Sequence, residues 1–215
     1  MRIGLYGGSF NPVHHGHLVA ARFAGEALGL ERVILLPSAS PPHKDPGAAG
    51  FAPAAARMEM LMLATSGDGL LEVGDDDLTR VGPTYTVETV EGYRRELPSA
   101  ELFWIVGGDS VGHLHAWHRA ADLMELCQVA VVRRPDFSPA WWRLRSELSA
   151  SVGRQRAERL VDGILRHIVD SPGFAVSATL VRERVRAGLP IRYLVPEAVA
   201  GYIVAAGLYK PDFRE

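Results

Sequence analysis

Gly7-Gly8-Ser9-Phe10-Asn11-Pro12-Val13-His14-His15-Gly16-His17 sets a glycine turn and two spaced histidines between a short apolar run and a helical pattern. Ahead of it, Ile3-Gly4-Leu5-Tyr6 reads as a buried strand. Behind it, Leu18, Ala21, Gly25 and Leu28 recur at helical spacing until Gly29 supplies a stop. The histidines therefore stand where the helix begins. There the first unpaired N–H groups and the positive end of the helix dipole favour an anion, and imidazoles add donors for phosphoryl oxygens. Gly7 and Gly8 are expected to bring the backbone close to that anion with no Cβ in the way.

Working outward, apolar strand candidates alternate with helical patterns. Arg32 to Leu36, Leu70 to Val73, Leu102 to Val106 and Val129 to Val132 read as buried strands, and Arg57 to Ala64 and Val87 to Leu97 carry helical spacing. This alternation predicts an α/β fold: a Rossmann-like, doubly wound parallel sheet with helices on both faces. Ligands of such folds bind beyond the C-terminal ends of the strands, where the motifs of this chain fall. The segment from Asp136 to Pro172 reads as a surface helix and loop region. One domain spanning 1–215 is the simplest organisation, with a helical C-terminal part from about 177 to 215.

Composition removes several function classes. With 47% hydrophobic residues and a formal charge of −2, nothing suggests a nucleic-acid surface or an anionic membrane as partner, so an anionic substrate must be held by local donors. No run approaches the ~18 apolar residues of a membrane span, and the first residues read as a glycine-interrupted strand rather than a signal peptide. Cys127 is the single cysteine, set in an apolar run; a buried, inert thiol and a reducing cytoplasm are expected. A P-loop is excluded because no lysine follows a glycine, and Gly4-Leu5-Tyr6-Gly7-Gly8 lacks the dinucleotide spacing. Metal binding by His14 and His17, or by His113, His115 and His118, is disfavoured because neither cluster has a cysteine beside it.

Four further stretches carry chemistry-bearing residues. Pro37 to Lys44 follows the second strand and ends in one of two lysines, against 21 arginines. The glycine-rich run after it, over 45–53, has the composition of a lid. Thr84-Tyr85-Thr86 with Glu88 offers threonine caps and an acidic first turn to the next helix. Gly107-Gly108-Asp109 follows the fourth strand, with Trp117 shortly beyond; a carboxylate there can accept hydrogen bonds from ribose hydroxyls or cap a helix. Val176-Ser177-Ala178-Thr179 with Arg182 reads as a strand end entering a helix, with hydroxyls and a guanidinium suited to a polyphosphate, or simply a capped helix with a solvated arginine.

Gly8, Phe10, Pro12, His14, Gly16 and His17 match the Gly-x-Phe-x-Pro-x-His-x-Gly-His signature of the nucleotidyltransferase superfamily, and the whole pattern resembles the bacterial nicotinate-nucleotide adenylyltransferase family. The resemblance runs from Arg2 to Lys44, through Arg57-Met58, Thr84 to Thr89, Trp104 to Trp117 and Val131 to Pro135, then from Val176 to Tyr209. Three residues depart from its commonest pattern: Asn11 where Asp is usual, Gly108 where Ala is usual, and Ala178 where Ser is usual. The resemblance implies adenylyl transfer from ATP to nicotinate mononucleotide, with Mg²⁺ carried on the ATP phosphates and no protein ligands to the metal. It implies catalytic roles for His14, His17 and Lys44. Gly7, Gly8, Ser9, Phe10, Gly16, His17, Ser177, Thr179 and Arg182 would bind ATP. Ser9, Lys44, Thr84, Tyr85, Thr86, Gly107, Asp109 and Trp117 would bind the mononucleotide. A homo-oligomer is compatible with the sequence. Alternatives are another nucleotidyltransferase, acting on nicotinamide mononucleotide or phosphopantetheine, and a non-catalytic nucleotide sensor.

Overall fold

The computed structural model describes residues 1–38, 50–80, 82, 84–135 and 138–210. Six strands form one parallel sheet: β1 (Arg2–Gly8), β2 (Arg32–Pro37), β3 (Leu71–Val73), β4 (Glu101–Gly107), β5 (Gln128–Arg133) and β6 (Ile168–Asp170), in the order β3-β2-β1-β4-β5-β6. The order reverses between β1 and β4, which pair side by side with Leu5 opposite Trp104. This is the doubly wound sheet that the alternating pattern predicts, and the reversal opens a crevice at the C-terminal ends of β1 and β4.

Strand side chains point alternately to the two faces, and both faces are covered, so the strands read as unbroken apolar runs. Val33, Leu35, Phe103, Ile105, Ala130 and Val132 face one core with α1 (His15–Ala27), α2 (Ala54–Thr65), α7 (Ala178–Arg186) and α8 (Glu197–Ala205). Ile34, Leu36, Leu102, Trp104, Val106, Val129 and Val131 face the other, with α3 (Thr86–Glu96), α4 (Ala120–Leu126), α5 (Trp141–Val152) and α6 (Arg154–Leu165). Cys127 lies in this second core, and burial pushes its thiol up to about 12, so it stays protonated and inert at neutral pH. No helix is long and apolar enough to cross a membrane among the described residues.

The reading of 136–172 as surface helix and loop is corrected. Asp136 and Phe137 lie outside the described residues, but α5 and α6 bury Leu144, Leu148, Ala157, Val161 and Ile164 in the second core, and β6 completes the sheet beside β5. The i, i+4, i+7 spacing of Ala157, Val161 and Ile164 marks a core-facing helix stripe. The strand expected at Val176 is likewise absent; β6 ends at Asp170, and an irregular segment with no ladder leads to α7.

Candidate active site

A cavity of about 480 Å³ opens at the crevice between β1 and β4. Its wall combines the loop after β1 (Ser9, Phe10, Asn11), the start of α1 (His14, Gly16, His17), the end of β4 (Gly107, Gly108, Asp109), Arg134 after β5, and the start of α7 (Ser177, Ala178, Thr179, Arg182). His14 is the N-cap residue of α1; its backbone N–H donates to His17 Nδ1 at 3.3 Å, and the two rings stack with centroids 3.7 Å apart. Gly16 makes room for that arrangement, since a Cβ there would lie 3.0 Å from His14 Nδ1. Burial holds the His14 pKa down to about 4, helped by the charges of His15 and Arg134. His14 is thus a neutral imidazole at physiological pH, and its buried Nδ1 has no partner among the described residues.

Across the cavity, Ser177 caps α7 by accepting the Leu180 N–H at 3.1 Å. Arg182 is aimed by two bonds: Nη1 donates to the Asn11 carbonyl at 2.7 Å and Nη2 to Thr179 Oγ1 at 3.1 Å. Arg134 and Arg182 supply cationic charge to a wall whose one carboxylate among the described residues is Asp109. Two helix N-termini, two imidazoles and two guanidiniums thus face one space, an arrangement that binds polyanionic ligands.

The cytidylyltransferase-like family model matches residues 5–184. A protein of Saccharopolyspora erythraea named as a probable nicotinate-nucleotide adenylyltransferase is 39% identical over 211 residues, covering 98% of this chain and 91% of that protein. One of Neisseria meningitidis serogroup B with the same name is 40% identical over 209 residues, covering 97% of this chain and 98% of that one. The chain belongs to the nicotinate-nucleotide adenylyltransferases. Its fold is also that of the Plasmodium falciparum nicotinic acid mononucleotide adenylyltransferase complexed with NaAD, with a TM-score of 0.74 at 14% identity, covering 97% of each chain.

The residues expected at ATP that line the cavity are Ser9, Phe10, Gly16, His17, Ser177, Thr179 and Arg182; His14 joins them. Gly7 and Gly8 do not line it. A Cβ on Gly7 would lie 2.6 Å from the Trp104 indole, and one on Gly8 would lie 3.1 Å from the Phe10 ring. The space they leave is filled by aromatic side chains of the protein. Of the mononucleotide set, Ser9, Gly107 and Asp109 line the cavity, whereas Thr84, Tyr85, Thr86 and Trp117 do not. Lys44 lies outside the described residues, as do positions 45–49 of the expected lid.

Tyr85 and Trp117 nonetheless both pack against the second core. The Tyr85 ring sits 4.3 Å from the ring of His118, directly after Trp117. The expected threonine capping of α3 is corrected: Tyr85 is the N-cap residue and contributes no side-chain bond, while Thr89 Oγ1 donates to Asp77 Oδ1 at 2.6 Å. Thr84 is 6% exposed, and its Oγ1 has no partner among the described residues. Sequence reasoning missed Tyr6, Asn11 and Arg134 in the cavity wall. For Arg134 the signal was present, a basic residue just past a strand end. For Asn11 there was none beyond its place in the loop. Among the described residues no group of three or more His, Cys, Asp or Glu side chains is arranged to hold a metal ion.

Proposed function

We infer that the protein joins nicotinate mononucleotide to ATP, giving nicotinate adenine dinucleotide and pyrophosphate. One observation carries the reading: the stacked His14–His17 pair and Arg182 converge on one cavity at the point where the strand order reverses, in a chain of this family. A mononucleotide phosphate has its second pKa near ~6, so at neutral pH it is largely a dianion and already nucleophilic. The protein then has to align it with the ATP α-phosphorus and stabilise charge as pyrophosphate leaves. His14, as a neutral imidazole, and His17 are proposed as hydrogen-bond donors to the transferring phosphoryl group. Ser177, Thr179 and Arg182 take the outer phosphates, and Lys44 is assigned to the reacting ones.

A Mg²⁺ ion fits this donor set if ATP carries it, because Mg²⁺ keeps water and phosphate oxygens as ligands and the cavity wall has a single carboxylate among the described residues. When bound, it neutralises charge on the triphosphate. Gly107 and Asp109 are assigned to the mononucleotide ribose; a Cβ on Gly107 would lie 2.5 Å from Asp109 Oδ1, so the glycine leaves room for that carboxylate to fold over the strand end. Thr84, Tyr85, Thr86 and Trp117 are assigned to the pyridine end, supported by the orphaned Thr84 hydroxyl. The enzyme is proposed to act as one domain in a reducing cytoplasm on small-molecule substrates alone. The test is release of pyrophosphate from ATP that depends on nicotinate mononucleotide; release with phosphopantetheine instead, or none, would defeat the reading.

A further inference from the structure

We propose that Asn11 and Tyr209 form a clamp that fixes the phosphate loop and Arg182 for ATP, making Tyr209 a positioning residue; the proposal rests on the adenylyl-transfer reading above. Asn11 lines the cavity, yet its carboxamide is engaged by protein. Its Oδ1 accepts from the Tyr209 hydroxyl at 2.8 Å and from the Ala52 N–H at 3.0 Å, and its Nδ2 donates to the Gly50 carbonyl at 3.1 Å. A carboxamide oxygen has two lone pairs, and both are occupied. The side chain of Asn11 therefore holds the loop rather than the ligand.

What the loop holds is Arg182. The Asn11 carbonyl accepts from Arg182 Nη1, so the direction of that guanidinium follows the position of the Asn11 backbone. Arg57, 1% exposed, secures the same loop from beneath: Nη1 donates to the Ser9 carbonyl at 2.9 Å and Nε to the Ala52 carbonyl at 3.1 Å. Backbone conformation points to the same contact. Phe10 (φ 43°) and Tyr209 (φ 63°) are bulky residues in the left-handed region, where such side chains are uncommon and which tertiary structure must enforce. One immediately precedes Asn11; the other carries its hydroxyl partner. Burial pushes the Tyr209 pKa upward, so the hydroxyl keeps its proton and remains a donor.

Steady-state kinetics of three variants test the clamp. Tyr209→Phe keeps the buried ring and removes one hydroxyl; we expect the KM for ATP to rise about fivefold, with kcat and the mononucleotide KM within about twofold. Asn11→Ala, which removes all three side-chain bonds, should raise the ATP KM about thirtyfold or more, and Asn11→Asp, which keeps the acceptor oxygen, should recover most of that loss. Adding Tyr209→Phe to Asn11→Ala should change the ATP KM by less than about twofold, because the shared contact is already gone. An unchanged ATP KM in Tyr209→Phe, multiplicative effects in the double variant, or equal losses toward both substrates would each overturn the proposal. If the unsubstituted protein releases no pyrophosphate, the adenylyl-transfer reading fails by itself; ATP affinity measured by calorimetry on the same variants then decides the clamp with the same ratios, and no ATP binding at all overturns both.

Discussion

His14 shows how one buried side chain couples fold to chemistry. With 6% exposure and a pKa near 4, it stands in the cavity wall as a neutral imidazole rather than a cation, the form in which the proposed reaction uses it as a donor. The cost appears in stability. An unfolded chain binds a proton on this imidazole below its ordinary value of 6.5, and the folded protein resists doing so until about pH 4. Between those values the unfolded state holds more protons, so stability falls as pH falls through this window, by a ceiling on the order of 3 kcal/mol. Thermal melts from pH 7 to pH 4.5 should therefore show a steeper loss for the native protein than for His14→Asn. Kinetics give the second expectation at this scale. His17→Ala should lower kcat by ~10² to 10³, the scale of one lost transition-state donor, with ATP binding affected less. His15, which bonds the Leu194 carbonyl only through its backbone, should tolerate alanine. Unaltered turnover in His17→Ala would leave it a helix-start residue and nothing more.

At the scale of elements, the site is assembled from ends. β1 stops where Gly7 and Gly8 lie beneath Trp104 and Phe10, and α1 starts seven residues further on, with two stacked imidazoles at its start. Gly7→Ala places a methyl group against an indole that is 3% exposed and packed in the second core; overpacking of this kind should cost about 1–3 kcal/mol. A lowered urea midpoint with an unchanged slope would report it, and full stability would show that Trp104 can move aside. α7 presents the opposite wall. Its start is capped by Ser177 and its guanidinium is aimed through Asn11 and Thr179, so Arg182→Ala should raise the ATP KM well above the mononucleotide KM. Equal effects on both substrates would reduce α7 to a capped surface helix.

At the scale of the whole molecule, the reversal of strand order between β1 and β4 opens one crevice, and the proposed reaction assigns ATP to its α1 and α7 walls and the mononucleotide to its β4 and α3 side. Nicotinate carries a carboxylate where nicotinamide carries a neutral amide, and a helix start such as that of α3 favours an anion, with the Thr84 hydroxyl beside it unpartnered among the described residues. A kcat/KM preference for nicotinate mononucleotide of at least ~10², equivalent to about 2.7 kcal/mol, is expected. Comparable efficiency with nicotinamide mononucleotide would refute the substrate assignment and leave adenylyl transfer intact. By itself the sequence determined five of the six strands, the doubly wound parallel sheet and the histidine and arginine walls, because hydrophobic period, glycine turns and helix-start residues are local signals. It could not determine β6, three residues whose only mark is their pairing with β5, or the core-facing role of α5 and α6. Nor could it determine what fills the space beside Gly7, or that Asn11 meets Tyr209 across 198 residues. Those facts depend on which atoms from distant elements come to share one volume, and close packing settles that only when the chain is folded.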